Sequence, residues 1–137
     1  MNPVLVDTAV AVTLAVASVF DLKNHAVHDR VFILGSAAAI TLGVLIGPGT
    51  AGAMTVQAII LGLMGVVIKA VRAFGGADIW ALGVSGLAFP DTLAFTVAAA
   101  VLVGMLAWGR VYQIFTRSRY VPAIPGMTAG YLVLLAA

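Results

Sequence analysis

Apolar residues run along this 137-residue chain in long blocks, and the short stretches between the blocks hold nearly every charge. A helix that crosses a membrane needs about 20 apolar residues, with a range of about 17 to 25. Dividing the chain at its charged and Pro/Gly-rich points gives six segments, 4–20, 31–46, 53–68, 79–89, 92–108 and 120–137. The fourth is too short to cross alone. It either begins inside the membrane boundary or fuses with the fifth across Pro90 and Asp91, which would leave five spans and a re-entrant piece. The pattern predicts an all-α, polytopic membrane protein of about six transmembrane helices, with residues 1–137 forming a single transmembrane domain.

Composition supports that reading. Hydrophobic residues make up 63% of the chain and charged residues only 9%, against roughly 25% charged in ordinary soluble domains. Mean hydropathy is +1.16, so a bilayer has to take the place of a buried core. Cysteine is absent, which excludes disulfides, thiol nucleophiles and thiolate metal sites. The sequence pI near 9.4 does not indicate nucleic acid, because the cations sit in pairs at the edges of apolar runs. Residues 1–20 end in an A-x-A-like pattern at Ala15 and Ala17, but no cation precedes the apolar stretch and Asp7 stands where a positive region belongs. A retained span is expected rather than a cleaved signal.

The cations also orient the chain, since Lys and Arg near span ends are kept on the cytoplasmic side. Lys23 and Arg30 lie between the first and second segments, Lys69 and Arg72 between the third and fourth, and Arg110, Arg117 and Arg119 between the fifth and sixth. The alternate connections hold none. Both termini are therefore expected outside, at the plasma membrane, and merging the fourth and fifth segments would send the last basic loop to the wrong side. Gly43 with Gly47, and Gly126 with Gly130, have the spacing that lets helix backbones approach closely.

Acid–base chemistry has few candidates, because the chain holds five Asp and no Glu. Asp7, Asp29 and Asp91 fall in connections or chain ends, where a solvated carboxylate costs little. Asp21 ends the first apolar run and Asp78 opens the fourth, and the basic loops put both near the cytoplasmic face. Ionisable groups at membrane depth are expensive and point to function. Position alone still leaves two readings open, a working pair and two hydrated helix-edge carboxylates.

The stretches DLKNHAVHDR, beginning at Asp21, and GGADIWAL, containing Asp78, resemble the two signature regions of the type IV prepilin peptidase family. That family comprises GxGD aspartyl membrane proteases, includes the archaeal preflagellin peptidases, and is more distantly similar to presenilin. The ending RYVPAIPGMTAGYL resembles the Pro-rich start of the family's last helix. The chain departs from the pattern at Ala77, the third position of GxGD, at His28 and Asp29, where the family often has Pro-Asn, and at Trp80, where it often has Lys. It has neither the cysteine-bearing extension nor the methyltransferase part of bacterial relatives, and so resembles the shorter archaeal, peptidase-only type.

The resemblance implies a membrane aspartyl endopeptidase that cuts the leader of a prepilin-like or preflagellin-like precursor at the cytosolic membrane edge. Asp21 and Asp78 would be catalytic, water would be the nucleophile, and no cofactor or metal is implied. Two such carboxylates share one proton, because like charges a few ångströms apart do not both ionise cheaply. Asp21 lies at a helix carboxyl end and Asp78 at an amino end, which favours negative charge, so Asp78 is expected to hold the charge of the pair. Gly75, Gly76 and Ala77 would let an extended substrate backbone come close, although a plain loop-to-helix turn accounts for the glycines equally. Pro122 and Pro125 either punctuate a helix start or shape the site beside the aspartates. The expected partners are the precursor and the lipid bilayer, with no nucleic acid, and the oligomeric state stays open.

Other constellations compete. Asp21, His25, His28 and Asp29 offer metal ligands, but their spacing matches no strong zinc pattern. Gly83-Val84-Ser85-Gly86 resembles the GxSG nucleophile region of rhomboid proteases, yet both histidines lie in the first loop, away from any base position. Lys69, Arg72, Trp80 and Trp108 read as interface anchors. A small transporter or proton-conducting protein would also carry paired Asp, though nearer the midplane and with an inverted repeat, which is not visible. A non-catalytic member of the peptidase scaffold is a third class, and precursor cleavage separates all three.

Overall fold

A computed structural model describes residues 4–24, 27–70, 76–117 and 121–137, with Pro48 and Gly76 described by their backbone alone. The regular elements in these residues are all helices: α1 (Val4–Asn24), α2 (Asp29–Ile46), α3 (Pro48–Ala70), α4 (Gly76–Gly86), α5 (Ala94–Thr116) and α6 (Ala123–Ala136). Each matches one apolar segment of the sequence. Among the described residues, four are long and apolar enough to cross a membrane: α1, α2, α3 from Gly49 onward, and α5. The 14-residue α6 and the 11-residue α4 are shorter, about 21 and 16 Å at 1.5 Å per residue. Large apolar side chains such as Leu34, Val67, Phe95, Leu106 and Val133 stand exposed on the outer helix faces, a surface that only lipid covers at low cost. The chain is a polytopic all-α membrane protein.

The helix ends outrun the apolar blocks for local reasons. α1 continues past Phe20 through Asp21 to Asn24, where Lys23 meets the negative end of the helix dipole. α3 starts at Pro48 rather than at residue 53, because a proline in the first helical position has its φ already set and gives up no needed N–H. The α2–α3 connection is therefore Gly47 alone, whose N–H donates to Gly43 O at 3.0 Å while its carbonyl accepts from Ala51 N at 3.2 Å. α5 runs on past Trp108 to Thr116 and takes Arg110 and Gln113 into the helix. Arg117 closes it in the left-handed conformation, φ 53°, with its N–H on Gln113 O, one of the common ways a helix stops.

α4 does not fuse with α5. Residues 87–93 turn between them, Pro90 lacks the N–H that a continuing helix would use, and Leu87 N donates to Val84 O at 3.0 Å and Phe89 N to Gly86 O at 3.1 Å. The turn is stapled from α3, where the buried side-chain amide of Gln57 donates to Phe89 O at 3.1 Å and Thr92 O at 2.6 Å.

Neighbouring helices pack antiparallel, often on small residues. A Cβ at Gly104 would press into the backbone of Gly126 and Gly130, and one at Gly130 into Ala100 and Val101. The predicted Gly126–Gly130 pair is thus a backbone-to-backbone interface with α5, and Gly104 is its unpredicted third member. Gly43 packs on Met54 and Ala51 of α3, whereas Gly47 serves the turn instead. Gly65 lies against Ile79, and Gly86 against Leu61 and Gln57, which sets α3 against α4. Along the α1–α6 seam, Tyr131 Oη donates to Asp7 O at 2.9 Å.

Candidate active site

The contacts above gather the carboxyl ends of α1, α3 and α5 and the amino ends of α2, α4 and α6 at one end of the bundle. Asp21 and Asp78 both stand at this end. So do Lys23, Arg30, Lys69, Arg110 and Arg117, while Asp7 and Asp91 lie toward the other, so the charge partition read from the sequence is present in three dimensions.

Asp21 is only 5% exposed, and its carboxylate is turned into α6, where Oδ2 accepts the backbone N–H of Ile124 at 3.1 Å. The reason lies in how α6 begins. The first amides of a helix have no partner in the helix and are usually satisfied by a side chain at the N-cap. Here the N-cap is Pro122, which makes no side-chain cap bond. Asp21 supplies the acceptor from another helix and caps the second residue of α6. The predicted pair Pro122 and Pro125 brackets this contact: Pro122 removes a self-made cap, and Pro125 occupies the first turn, where its missing N–H costs nothing.

This geometry corrects one expectation. The sequence set Asp21 against the negative end of its own helix and reserved the favourable dipole for Asp78. Asp21 also faces the positive amino end of α6, and Asp78 lies in the first turn of α4, so the dipole argument no longer separates the two carboxylates.

Asp78 is half-buried, and two residues on, Trp80 stacks on Phe32 with ring centroids 6.2 Å apart and planes 7° from parallel. The stack joins the amino ends of α2 and α4. An apolar cavity of about 360 Å³ opens beside it, bounded among others by Ile40, Ile59, Ile79, Trp80 and Val84. Of the predicted substrate-contacting residues, Ala77 packs against the core, Gly76 opens α4, and Gly75 lies outside the described residues.

One turn inward from Asp21, the hydroxyls of Ser18 and Thr128 are 2.8 Å apart. Ser18 Oγ also reaches Leu14 O at 2.8 Å, and Thr128 Oγ1 reaches Ile124 O at 2.9 Å and Leu14 O at 3.3 Å. With one hydrogen each, one hydroxyl bonds to the backbone while the other bonds to its neighbour. The sequence reading passed over Ser18 and Thr128. The signal was present in their spacing, since Ser18 precedes Asp21 by three residues and Thr128 follows Ile124 by four, which puts each beside its partner on one helix face.

Among the described residues the competing constellations do not assemble. Ser85 is 1% exposed and its hydroxyl donates to Leu82 O at 2.7 Å, so it packs as a small satisfied residue. His28 caps α2, its Nδ1 accepting from Arg30 N at 3.4 Å, and His25 lies outside the described residues. Among the described residues no three His or carboxylate side chains gather as a metal site would require. The two tryptophans read as interface anchors also hold neighbouring groups: the exposed Trp80 stacks on Phe32, and the partly buried Trp108 donates its indole N–H to Pro122 O at 2.8 Å.

Comparison with curated proteins and with solved structures gave no match. The type IV leader peptidase family matches residues 8–109, a stretch that contains both Asp21 and Asp78 and most of the bundle. On that match, the chain belongs to the type IV leader peptidase family.

Proposed function

We propose that the chain is an aspartic-type membrane endopeptidase that removes the leader from a prepilin-like or preflagellin-like precursor. The observation that carries this reading is that Asp21 and Asp78, distant along the chain and both inside the family match, stand at the same end of the helix bundle. Residues 1–137 act as one transmembrane peptidase domain. The end holding the aspartates also holds the described cations, so it faces the cytoplasm at the plasma membrane and both termini face outward.

In the proposed reaction the two carboxylates share one proton and titrate as a unit. The ionised member takes a proton from water as the oxygen attacks the scissile carbonyl. The protonated member donates to the carbonyl oxygen as it becomes tetrahedral, and collapse with proton transfer to the leaving nitrogen breaks the C–N bond. Ile124 N–H holds Asp21 in place from the side of α6. Gly75, Gly76 and Ala77, before Asp78, give an extended substrate backbone room to approach, and Pro122 and Pro125 wall the opposite side.

The deciding experiment is processing of a leader-bearing precursor by the purified protein in proteoliposomes, compared with the D21N and D78N variants. Cleavage by the wild type and its loss in each variant is expected. Undiminished cleavage by either variant would remove the aspartyl reading, and ion movement without cleavage would replace it with transport.

A further inference from the structure

We propose that Trp108 is a positioning residue for Asp21 and acts through the first turn of α6; the inference deepens the aspartyl-peptidase reading and rests on it for its link to activity. The start of α6 is not fixed by its own sequence. Pro122 makes no side-chain cap, so the usual local means of satisfying a first turn is missing. Groups from other helices supply the contacts. Trp108 of α5 donates its indole N–H to Pro122 O at 2.8 Å, and Asp21 of α1 accepts the N–H of Ile124 at 3.1 Å.

Only Ala123 separates the two bonded peptide groups. A change in the direction of the Pro122 carbonyl rotates the adjoining peptides and so re-aims the Ile124 N–H. The indole cannot be replaced by a slide of the helices, because α5 and α6 touch here through backbone: a Cβ at Gly126 would lie 2.6 Å from Trp108 Cβ and 2.7 Å from Gly104 O. The path from Trp108 through Pro122 and Ile124 to Asp21 is therefore short and closely packed. Small misplacements of a catalytic group have large rate effects, about a hundredfold for 1 Å.

The test replaces Trp108 by Phe, which keeps an aromatic ring and removes the N–H. Cleavage by W108F is expected to show kcat lowered by about 10- to 100-fold with KM within about twofold, as for a group that orients rather than binds. The second readout is spectroscopic. The carboxyl ¹³C signal of Asp21, assigned by its loss in D21N, is expected to move in W108F. By linkage, the indole ¹H–¹⁵N signal of Trp108 is expected to move in D21A.

A lower melting temperature with kcat and both signals unchanged would mean a merely structural tryptophan and overturn the proposal. A lower kcat without movement of the Asp21 signal would overturn it too, as would moved signals with unchanged kcat. Should W108F fail to fold, the indole signal in D21A still decides. Should the wild type prove not to be a peptidase, the two signals still judge whether the residues are linked.

Discussion

Ser18 and Thr128 meet hydroxyl to hydroxyl at 2.8 Å across the α1–α6 seam, one turn from Asp21. Interhelical bonds of this kind inside membranes average about 0.6 kcal/mol and reach about 1.7. A double-mutant cycle of S18A and T128V, read by denaturant unfolding in micelles, should give a coupling in that range. Zero coupling would mean that each hydroxyl is served by its own helix backbone and that the pair is incidental.

Backbone packing predicts opposite outcomes for Gly130 of α6, pressed against α5, and Gly62 of α3. A Cβ at Gly130 would meet Gly104's neighbours Ala100 and Val101 through their backbone, 2.9 Å from Val101 Cα, and backbone has no rotamer by which to yield. G130A should destabilise by at least the about 1–3 kcal/mol typical of overpacking. A Cβ at Gly62 has nothing within 4 Å, so G62A should be neutral or stabilise by up to about 1 kcal/mol through helix propensity. Thermal unfolding in detergent measures both, and equal losses would contradict the packing described.

Gln57 is 6% exposed and serves two carbonyls of the α4–α5 turn. Removing its amide in Q57L leaves Phe89 O with only the Thr92 N–H at 3.3 Å and takes the side-chain donor from Thr92 O, a loss of about 1–3 kcal/mol. Q57E should be worse, because it points a carboxylate at the same two oxygens. Equal stability of wild type, Q57L and Q57E would show that water serves the turn.

What was legible in the sequence follows from which forces dominate here. Segment positions and the one-sided charge pattern come from lipid solvation, which acts residue by residue, so they could be read from the blocks and from Lys23, Arg30, Lys69 and Arg110. The close approach at Gly126 and Gly130 was legible because small residues recur at helical spacing. The capping of Ile124 by Asp21 was not, since a cap borrowed from another helix leaves no local signature beyond Pro122 where a capping side chain would otherwise sit. The partners of Trp80 and Trp108 were hidden for a related reason: a tryptophan at a membrane edge has the same sequence context whether or not its ring also packs on a neighbour.

If Asp21 and Asp78 act as one acid–base unit, kcat/KM should be bell-shaped in pH. Below the acidic limb both carboxyls are protonated and no base is left; above the alkaline limb both are charged and no acid is left. The two apparent constants belong to the pair. D21N and D78N should each lower the rate by about 10²–10⁴-fold, the usual range for losing a positioned acid or base. A pH profile with a single limb would exclude the shared-proton arrangement even if both variants were inactive.

The Trp80–Phe32 stack ties the helix that carries Asp78 to α2, whose Phe32 is fully buried. Trp80 is at a position where the family often has lysine, and the two side chains secure the same helix end differently. A lysine would send its ammonium to the interface, whereas the indole binds α4 to α2 by ring contact worth about 0.5–1.5 kcal/mol beyond area burial. W80F should keep most of the stack and most of the activity. W80A should lose the contact, uncover Phe32 and lower both stability and cleavage, and W80K should fall between the two, because its stem covers part of the Phe32 ring. Unfolding and precursor cleavage measured on the three variants give the order Phe, Lys, Ala if the stack positions the first turn of α4. Cleavage by W80A equal to that by W80F would show that Asp78 is held without it.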